Sequence, residues 1–226
     1  PLMDASKTRR RSDELDESIL VGAELSKEHG FPVVRKTLSI PDIVVPFDKA
    51  RANKHGTEWV HFFVEDPVFR PMLKDPLKYL DMFRGRSGIY SPDCSVVVGH
   101  PTYRIINAIG RSREVAALAS RVGFDVIPTV RWGLKDTWSV CLEALEPEGT
   151  IAVGTIGCTK NPELRAIFKA GLPEVLRRLA PSTIVVHGPL REDVFEPVLE
   201  AGISTVHFPS ETHLAKEAKA HGSQKL

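Results

Sequence analysis

Two aspartates stand where short apolar runs of the chain end. Asp66 follows the run 59–64, and Asp93 follows the run 87–90. Two carboxylates near one point could bind Mg²⁺ or Mn²⁺, or divide the roles of general acid and general base. Each could instead cap the turn that follows it, because Asp-Pro and Pro-Asp are both common turn dipeptides. The sequence leaves both interpretations open for each aspartate.

A third apolar run, residues 125–130, is followed directly by Arg131 and Trp132. The guanidinium could hold a carboxylate or a phosphate with two parallel hydrogen bonds, and the Trp132 ring could be a stacking wall beside it. Arg131 could equally form an internal ion pair with Asp66 or Asp93, because a charged group at the end of a buried strand needs a partner. The sequence predicts a charged contact here and does not choose between the two.

The segment 154–160 reads Gly-Thr-Ile-Gly-Cys-Thr-Lys and joins a predicted strand to a predicted helix. Thr155 and Gly157 are small, which lets backbone amides approach an anion at the start of a helix, although the segment does not match the P-loop pattern. Cys158 could be a nucleophile of lowered pKa with His187 as its base. The alternative is a small buried thiol that packs under the helix.

These patterns assign candidate roles to ten residues. The eight histidines show no HExxH spacing, so no metal ligand is assigned, and the cofactor is unknown, with a divalent metal such as Mg²⁺ the candidate. The expected catalytic residues are Asp66, Asp93, Arg131 and Cys158, and the expected ligand-binding residues are Ser95, Tyr103, Trp132, Thr155, Gly157 and His187.

Six apolar runs alternate with helical patterns from residue 59 onward, near 59–64, 87–90, 125–130, 150–156, 183–186 and 204–208. Near-continuous apolar runs are typical of strands buried on both faces, and their alternation with helices predicts a mainly parallel sheet. All six runs end in polar or reactive residues. The strand ends of a closed barrel converge on one face, whereas an open doubly wound sheet binds its ligand at one switch point. We therefore predict an α/β fold of repeated βα units and favour barrel-like closure over an open doubly wound sheet.

The chain divides into a charged arm and one domain. Residues 1–18 are rich in charge and poor in apolar residues, which predicts a flexible arm, and residues 19–226 are of a size for a single α/β domain. One or two short strands are expected within 31–46. Helices are expected over 76–83, 102–122 and 211–220. Two further helices should begin near Asp136 and at Pro162, the second with Asn161 as its cap.

Composition excludes several classes of protein. The formal net charge is +1 with a pI of about 8.2, which gives no support to a dedicated nucleic-acid binder. The three cysteines show no CxxC spacing, which favours a reducing compartment, and we expect the cytoplasm. No apolar run approaches about 18 residues, so no membrane contact is expected.

Several motifs of the chain also resemble a known family. They are VHFFVED, SPDCS, TYR, VIPTVRWG, AVGTIGC and KAGLPEVLRRLAPSTIVVHG, and the most specific are Pro-Asp-x-Ser at 92–95 and the segment 126–133. Over roughly residues 40–210 the chain resembles domain of unknown function 4417, a family widespread in bacteriophages and other mobile elements of bacteria. This chain has Cys94 where the family usually has Phe, and His187 where it usually has Tyr. The resemblance implies a phage or prophage origin and a bacterial cytoplasm, and it implies no activity.

Three functions remain open. The first is an enzyme, a hydrolase or transferase, that acts on a phosphate-bearing small molecule or nucleic acid at the C-terminal ends of the strands. The second is a phage protein without catalytic activity that binds and redirects a bacterial host protein through an apolar patch away from the strand ends. The third is a nucleic-acid-binding accessory to phage replication or recombination. It requires one continuous basic surface formed by Arg9, Arg10, Arg11, Arg104, Arg111, Arg113 and Arg121.

Overall fold

A computed structural model describes residues 17–53 and 55–210 and confirms an α/β chain with parallel sheets. Each of the six predicted apolar runs contains a strand, and a short strand precedes them. The strands are β1 (Val44–Pro46), β2 (Trp59–His61), β3 (Ile89–Tyr90), β4 (Val126–Ile127), β5 (Thr150–Gly154), β6 (Thr183–His187) and β7 (Ser204–Phe208).

Seven α-helices lie between or beside the strands of the described chain, with two short 3-10 helices at Glu17–Leu20 and Lys135–Thr137. Sequence patterns missed three of the seven. Two of these contain an internal proline, Pro71 or Pro197, which in a sequence suggests a helix break. The helices are α1 (Phe47–Ala52), α2 (Asp66–Lys74), α3 (Pro76–Met82), α4 (Thr102–Arg121), α5 (Trp138–Leu142), α6 (Pro162–Leu179) and α7 (Glu192–Glu200), of which α1, α2 and α7 were not predicted.

The strands are parallel and follow one another in chain order. Strands β1–β4 form one sheet and β5–β7 a second, and an isolated parallel bridge between Thr129 and Ala152 joins them just beyond the end of β4. A doubly wound sheet reverses its strand order at a switch point, whereas this order runs from β1 to β7 without reversal. Within residues 17–53 and 55–210 no strand pairing joins β7 to β1, so the expected barrel closure is not observed.

Both faces of β5 and β6 in the second sheet are buried. Ala152 and Val185 face a core that also contains the side chains of β2, β3 and β4, while their neighbours Ile151 and Ile184 face a second core under α6 and α7. Burial on both faces explains why these strands are continuous apolar runs in the sequence.

The start of α6 is the predicted one and it lies beside the strand ends. Asn161 caps the helix, because its Oδ1 accepts hydrogen bonds from the backbone N–H groups of Glu163 (2.8 Å) and Leu164 (3.2 Å). Pro162 takes the first helical position, where its missing N–H costs no hydrogen bond. This local chemistry fixes where α6 begins and thereby which residues of its first turns face the strand ends.

Two predictions fall on parts of the chain that the structure does not describe. The charged arm over 1–18 lies outside the described residues except for its last two positions, which begin the first 3-10 helix. The final helix over 211–220 lies outside them entirely. No helix within the described part of the chain has the length and apolar character needed to span a membrane.

Candidate functional site

A cavity of about 290 Å³ lies at the C-terminal ends of β4 and β5. Its wall is formed by the loop after β3, the residues after β4, the turn after β5 and the first turns of α6. Most of the lining is apolar, and Arg131 is the only lining residue that carries a charge. The lining residues are Ser95, Val96, Val97, Val98, Val130, Arg131, Trp132, Gly154, Ile156, Gly157, Cys158, Leu164, Ile167 and Phe168.

Arg131 forms a two-bond ion pair with Asp93. Its Nε donates to Asp93 Oδ1 at 2.7 Å, and its Nη2 donates to Oδ2. The Asp93 side chain is 4% exposed and the Arg131 side chain 26% exposed, so the carboxylate lies behind the guanidinium, which reaches the cavity. Burial disfavours the charged guanidinium, but the Asp93 carboxylate outweighs burial and raises the pKa of Arg131 above its ordinary value. The guanidinium is therefore a permanent and well-oriented cation.

Asp66 holds the loop that forms another side of the cavity. Its Oδ2 accepts from the backbone N–H of Ser95 at 3.1 Å, and its Oδ1 accepts from the Ser95 hydroxyl at 2.7 Å. The two aspartates thus have different hydrogen-bond partners. The metal-ligand group of three that the described residues contain is Glu28, His29 and Glu143, and neither aspartate belongs to it. The geometry gives no support to Mg²⁺ at Asp66 and Asp93.

The turn after β5 places Cys158 in the cavity wall and Gly157 beside it. Gly157 has φ +79°, in the left-handed region that favours glycine, which lets the chain turn sharply before α6. Burial raises the pKa of the Cys158 thiol, against the opposing effect of the Arg131 charge. A raised pKa works against a thiolate nucleophile.

Trp132 contributes the floor of the cavity. Its indole Nε1 donates to the backbone carbonyl of Phe168 at 3.2 Å, and the two rings lie 4.5 Å apart between centroids. A Cβ on Gly171 would lie 2.3 Å from the Trp132 ring, so α6 approaches the indole at a glycine. The ring is packed under α6 and is not a free stacking surface.

His187 lies in a cluster of rings rather than in the cavity. Its Nε2 is 3.2 Å from the Tyr90 hydroxyl oxygen, and its ring centroid is 4.5 Å from Phe63 and 4.8 Å from His61. Burial, with smaller effects from His61 and His207, lowers the pKa of His187 to about 2. A neutral imidazole packed among aromatic rings is not placed as the base of Cys158.

Two other candidates also lie away from the cavity lining. Thr155 is fully buried, and its backbone N–H and its hydroxyl both donate to the carbonyl of His187, which ties the end of β5 to the end of β6. Tyr103 is 66% exposed in the first turn of α4, where its hydroxyl accepts from Arg104 Nε at 3.3 Å.

The structure therefore brings together part of the predicted set. Five of the ten candidates line the cavity, and Asp93 and Asp66 contact two of those five. Sequence reasoning missed the apolar wall, for which one signal existed: Leu164, Ile167 and Phe168 recur at helical spacing in the first turns of α6. The five lining candidates are Ser95, Arg131, Trp132, Gly157 and Cys158, and the three that neither line the cavity nor hold a lining side chain are Tyr103, Thr155 and His187.

One arginine of the expected basic surface is buried. Arg113 is 1% exposed, and it donates from Nε to the Glu143 carbonyl at 3.1 Å and from Nη2 to the Cys141 carbonyl at 2.8 Å. Burial lowers the pKa of Arg113 to about 10. The expectation that Arg113 joins Arg104 on one basic face is wrong, because a side chain inside the core cannot contact phosphates.

The structure is that of a parallel α/β protein with a cavity at the C-terminal ends of β4 and β5. The chain belongs to the family described as Domain of unknown function (DUF4417), whose model matches residues 23–205. The match confirms the family resemblance found in the sequence.

Two relatives support the predicted phage origin. The chain is 26% identical over 169 residues to the "Gene 1 protein" of Mycobacterium phage D29, and 27% identical over 172 residues to the "Gene 1 protein" of Mycobacterium phage L5. Each match covers 74% of this chain, but 63% of the D29 protein and 75% of the L5 protein. No solved structure matches the chain.

Proposed function

We propose that this protein binds a small molecule in the cavity at the ends of β4 and β5. The observation that supports this is one partly exposed guanidinium in a wall that is otherwise apolar. Ligand cavities in proteins are mostly apolar with a few well-placed polar groups, and they measure about 300–1,000 Å³. At about 290 Å³, this cavity suits a small ligand whose apolar body packs on the wall while its head group binds Arg131.

Asp93 gives Arg131 a fixed orientation for this task. A guanidinium carries five N–H groups, and the two bonds to Asp93 use one on Nε and one on Nη2. The N–H groups of the edge between Nη1 and Nη2 match the two oxygens of a carboxylate or phosphate. Because the buried carboxylate already holds the side chain, the ligand does not have to order a flexible arginine.

A small molecule suits this cavity better than nucleic acid does. A nucleic-acid strand brings one negative charge per nucleotide and requires several cations along its path. The cavity lining offers one, and the buried Arg113 interrupts the helix face that was expected to supply more.

Thermal unfolding with a panel of aryl and alkyl carboxylates and monophosphates tests this proposal. A ligand at 100 times its Kd stabilises the folded state by about 2.7 kcal/mol, which corresponds to a Tm increase of roughly 5–10 °C for a chain of this size. The increase should disappear in Asp93→Asn/Arg131→Gln, which removes both charges and so leaves neither one buried alone. The matched control is Asp81→Asn/Arg84→Gln, a surface ion pair in and just after α3.

Two results would contradict the proposal. One is a panel in which no compound raises the Tm of the wild-type protein. The other is an increase of equal size in the wild type and in the Asp93/Arg131 variant, because binding would then occur away from Arg131.

A second candidate is a protein that binds a bacterial host protein, and one observation favours it. Leu38 and Ile40 are exposed by 67% and 53% in the segment before β1. That segment lies at the amino ends of the strands, because the Thr37 carbonyl accepts from Thr150 N at 2.7 Å and Ser39 bonds Asp125. Exposed apolar side chains away from the cavity are what a protein-binding surface requires.

Capture from bacterial lysate tests the second candidate. A host protein retained by the wild type should be lost with Leu38→Ser/Ile40→Ser and kept with Leu199→Ser, which alters an exposed leucine of α7. Equal capture by all three proteins would argue against this surface. We further propose that the protein acts in the bacterial cytoplasm, which suits its phage relatives and the three free cysteines.

A further inference from the structure

We infer that the head group bound at Arg131 is a single carboxylate and not a phosphate. This inference rests on the proposed ligand site and narrows its ligand class. It follows from two features of the cavity: the charge that Asp93 already balances, and the side-chain donors that other groups already occupy.

The charge of the site favours a singly charged ligand. Arg131 is the only charged lining residue, and its charge is balanced by Asp93, whose side chain is 4% exposed. A phosphate monoester brings a charge of about −1.5 to −2 at pH 7, whereas a carboxylate brings −1. Uncompensated charge in an apolar cavity is costly, and here Asp93 repels every anion that binds Arg131. Each additional negative charge on the ligand therefore weakens binding.

Two side-chain donors of the cavity lining are already engaged within the protein. The Ser95 hydroxyl donates to Asp66 Oδ1 at 2.7 Å, and the Trp132 indole N–H donates to the Phe168 carbonyl at 3.2 Å. Both of these lining side chains have their donor engaged, so neither is available to a third ligand oxygen. The edge of the Arg131 guanidinium matches a planar carboxylate with one N–H for each oxygen.

Three compounds with one apolar body separate the possibilities. Phenylacetate carries a carboxylate, phenylacetamide is its neutral counterpart, and benzyl phosphate carries the larger charge. Isothermal titration of the wild-type protein at pH 7.5 should show phenylacetate binding at least about tenfold more tightly than either of the others, a difference of about 1.4 kcal/mol.

The Asp93→Asn variant tests the electrostatic reason directly. Removing the carboxylate charge should lower the ratio of the benzyl phosphate Kd to the phenylacetate Kd about tenfold, because one negative charge that repels the ligand is then gone. Asp81→Asn, which removes a charge from exposed α3, should leave the ratio unchanged. The comparison of the three compounds in the wild type is decisive even if Asp93→Asn does not fold.

The outcomes separate this inference from the proposed function. Benzyl phosphate or phenylacetamide binding as tightly as phenylacetate, with loss in the Asp93→Asn/Arg131→Gln variant, would overturn the carboxylate assignment and leave the ligand site standing. Absence of binding by all three compounds would count against the ligand site itself. An unchanged ratio in a folded Asp93→Asn variant would refute the electrostatic reason.

Discussion

At the scale of single residues, the Asp93–Arg131 pair combines two roles that the sequence left as alternatives. Arg131 is an internal ion-pair partner, and it is also the one charged group of the cavity. The two roles are compatible because a guanidinium has more donors than one carboxylate can use. Asp66, by contrast, accepts hydrogen bonds from Ser95 and holds the loop that forms one side of the cavity.

Replacing one partner of the ion pair should destabilise the folded protein more than replacing both partners. We expect Arg131→Gln to reduce the free energy of unfolding by about 3 kcal/mol, because it leaves the Asp93 carboxylate buried without its charged partner. The double variant Asp93→Asn/Arg131→Gln should lose less than the single one. Urea denaturation at pH 7.5 measures both. If the double variant loses as much free energy of unfolding as Arg131→Gln and Asp93→Asn lose together, the two side chains are not coupled and the pairing is contradicted.

His187 predicts a decrease in stability in mild acid. Its pKa is lowered to about 2 in the folded protein, against about 6.5 in the unfolded chain, so below pH 6.5 the unfolded state binds the extra proton. Stability should therefore be constant above about pH 7 and fall as the pH decreases towards 5, by at most about 1.4 kcal/mol per pH unit.

The test compares His187→Phe with the wild-type protein. The variant keeps a ring in the cluster but cannot titrate, so its free energy of unfolding should change less between pH 7.5 and pH 5 than that of the wild type. His100→Gln, at an exposed position, provides the control. An identical pH dependence in wild type and His187→Phe would show that His187 is not responsible.

At the scale of elements, α6 connects the fold to the cavity. Its cap at Asn161 sets its start, its first turns supply Leu164, Ile167 and Phe168 to the wall, and its glycine at 171 admits the Trp132 ring. One helix thus positions both the floor and a side of the site. Changes along α6 are expected to alter ligand binding without touching Arg131.

Gly171→Ala tests this role of α6. In a helix interior, replacement of Gly by Ala normally stabilises by about 1 kcal/mol. Here the new Cβ would lie 2.3 Å from the Trp132 ring, so we expect a lower Tm and weaker ligand binding. Gly110→Ala in α4, where the nearest atom is a Phe31 ring carbon at 3.2 Å, should be milder. A Gly171→Ala protein that is more stable than the wild type would show that the ring moves aside freely.

At the scale of the whole molecule, the two sheets share one core. Ala152 and Val185 of the second sheet pack in the same cluster as Trp59 and Tyr90 of the first, and the Thr129–Ala152 bridge connects the sheets. Neither sheet can expose its residues of that cluster to solvent without also exposing the residues of the other sheet. The two sheets therefore form one structural unit, although within the described residues only the isolated Thr129–Ala152 bridge joins them by backbone hydrogen bonds.

We expect the molecule to unfold in one cooperative transition. Trp59 belongs to the first sheet, whereas Trp132 and Trp138 pack in or against the second core. In the Trp59→Phe variant, fluorescence and far-UV circular dichroism should give the same urea midpoint. The same agreement is expected in the Trp132→Phe/Trp138→Phe variant. A tryptophan signal that changes before the circular dichroism would reveal sheets that unfold separately.

The sequence determined the features that depend on neighbouring residues. Six apolar runs, the Asn161–Pro162 start of α6 and the extent of α4 were all readable, because burial of strands, helix capping and helical periodicity leave local signatures. The same logic placed polar residues at the strand ends, and Ser95, Arg131 and Cys158 all line the cavity there. Helices α2 and α7 were missed because each contains an internal proline that suggests a break, whereas tertiary packing overrides this local preference.

Only the tertiary structure decided which side chains meet. Asp93 and Arg131 are 38 positions apart, Asp66 and Ser95 are 29 apart, and their pairing depends on how parallel strands align. The burial of Arg113 and of His187 likewise depends on elements distant in the chain, which no periodicity within a helix or strand records. The apolar cavity exists for the same reason: it is the space left between a sheet end and α6, and space between elements is set by packing rather than by local sequence.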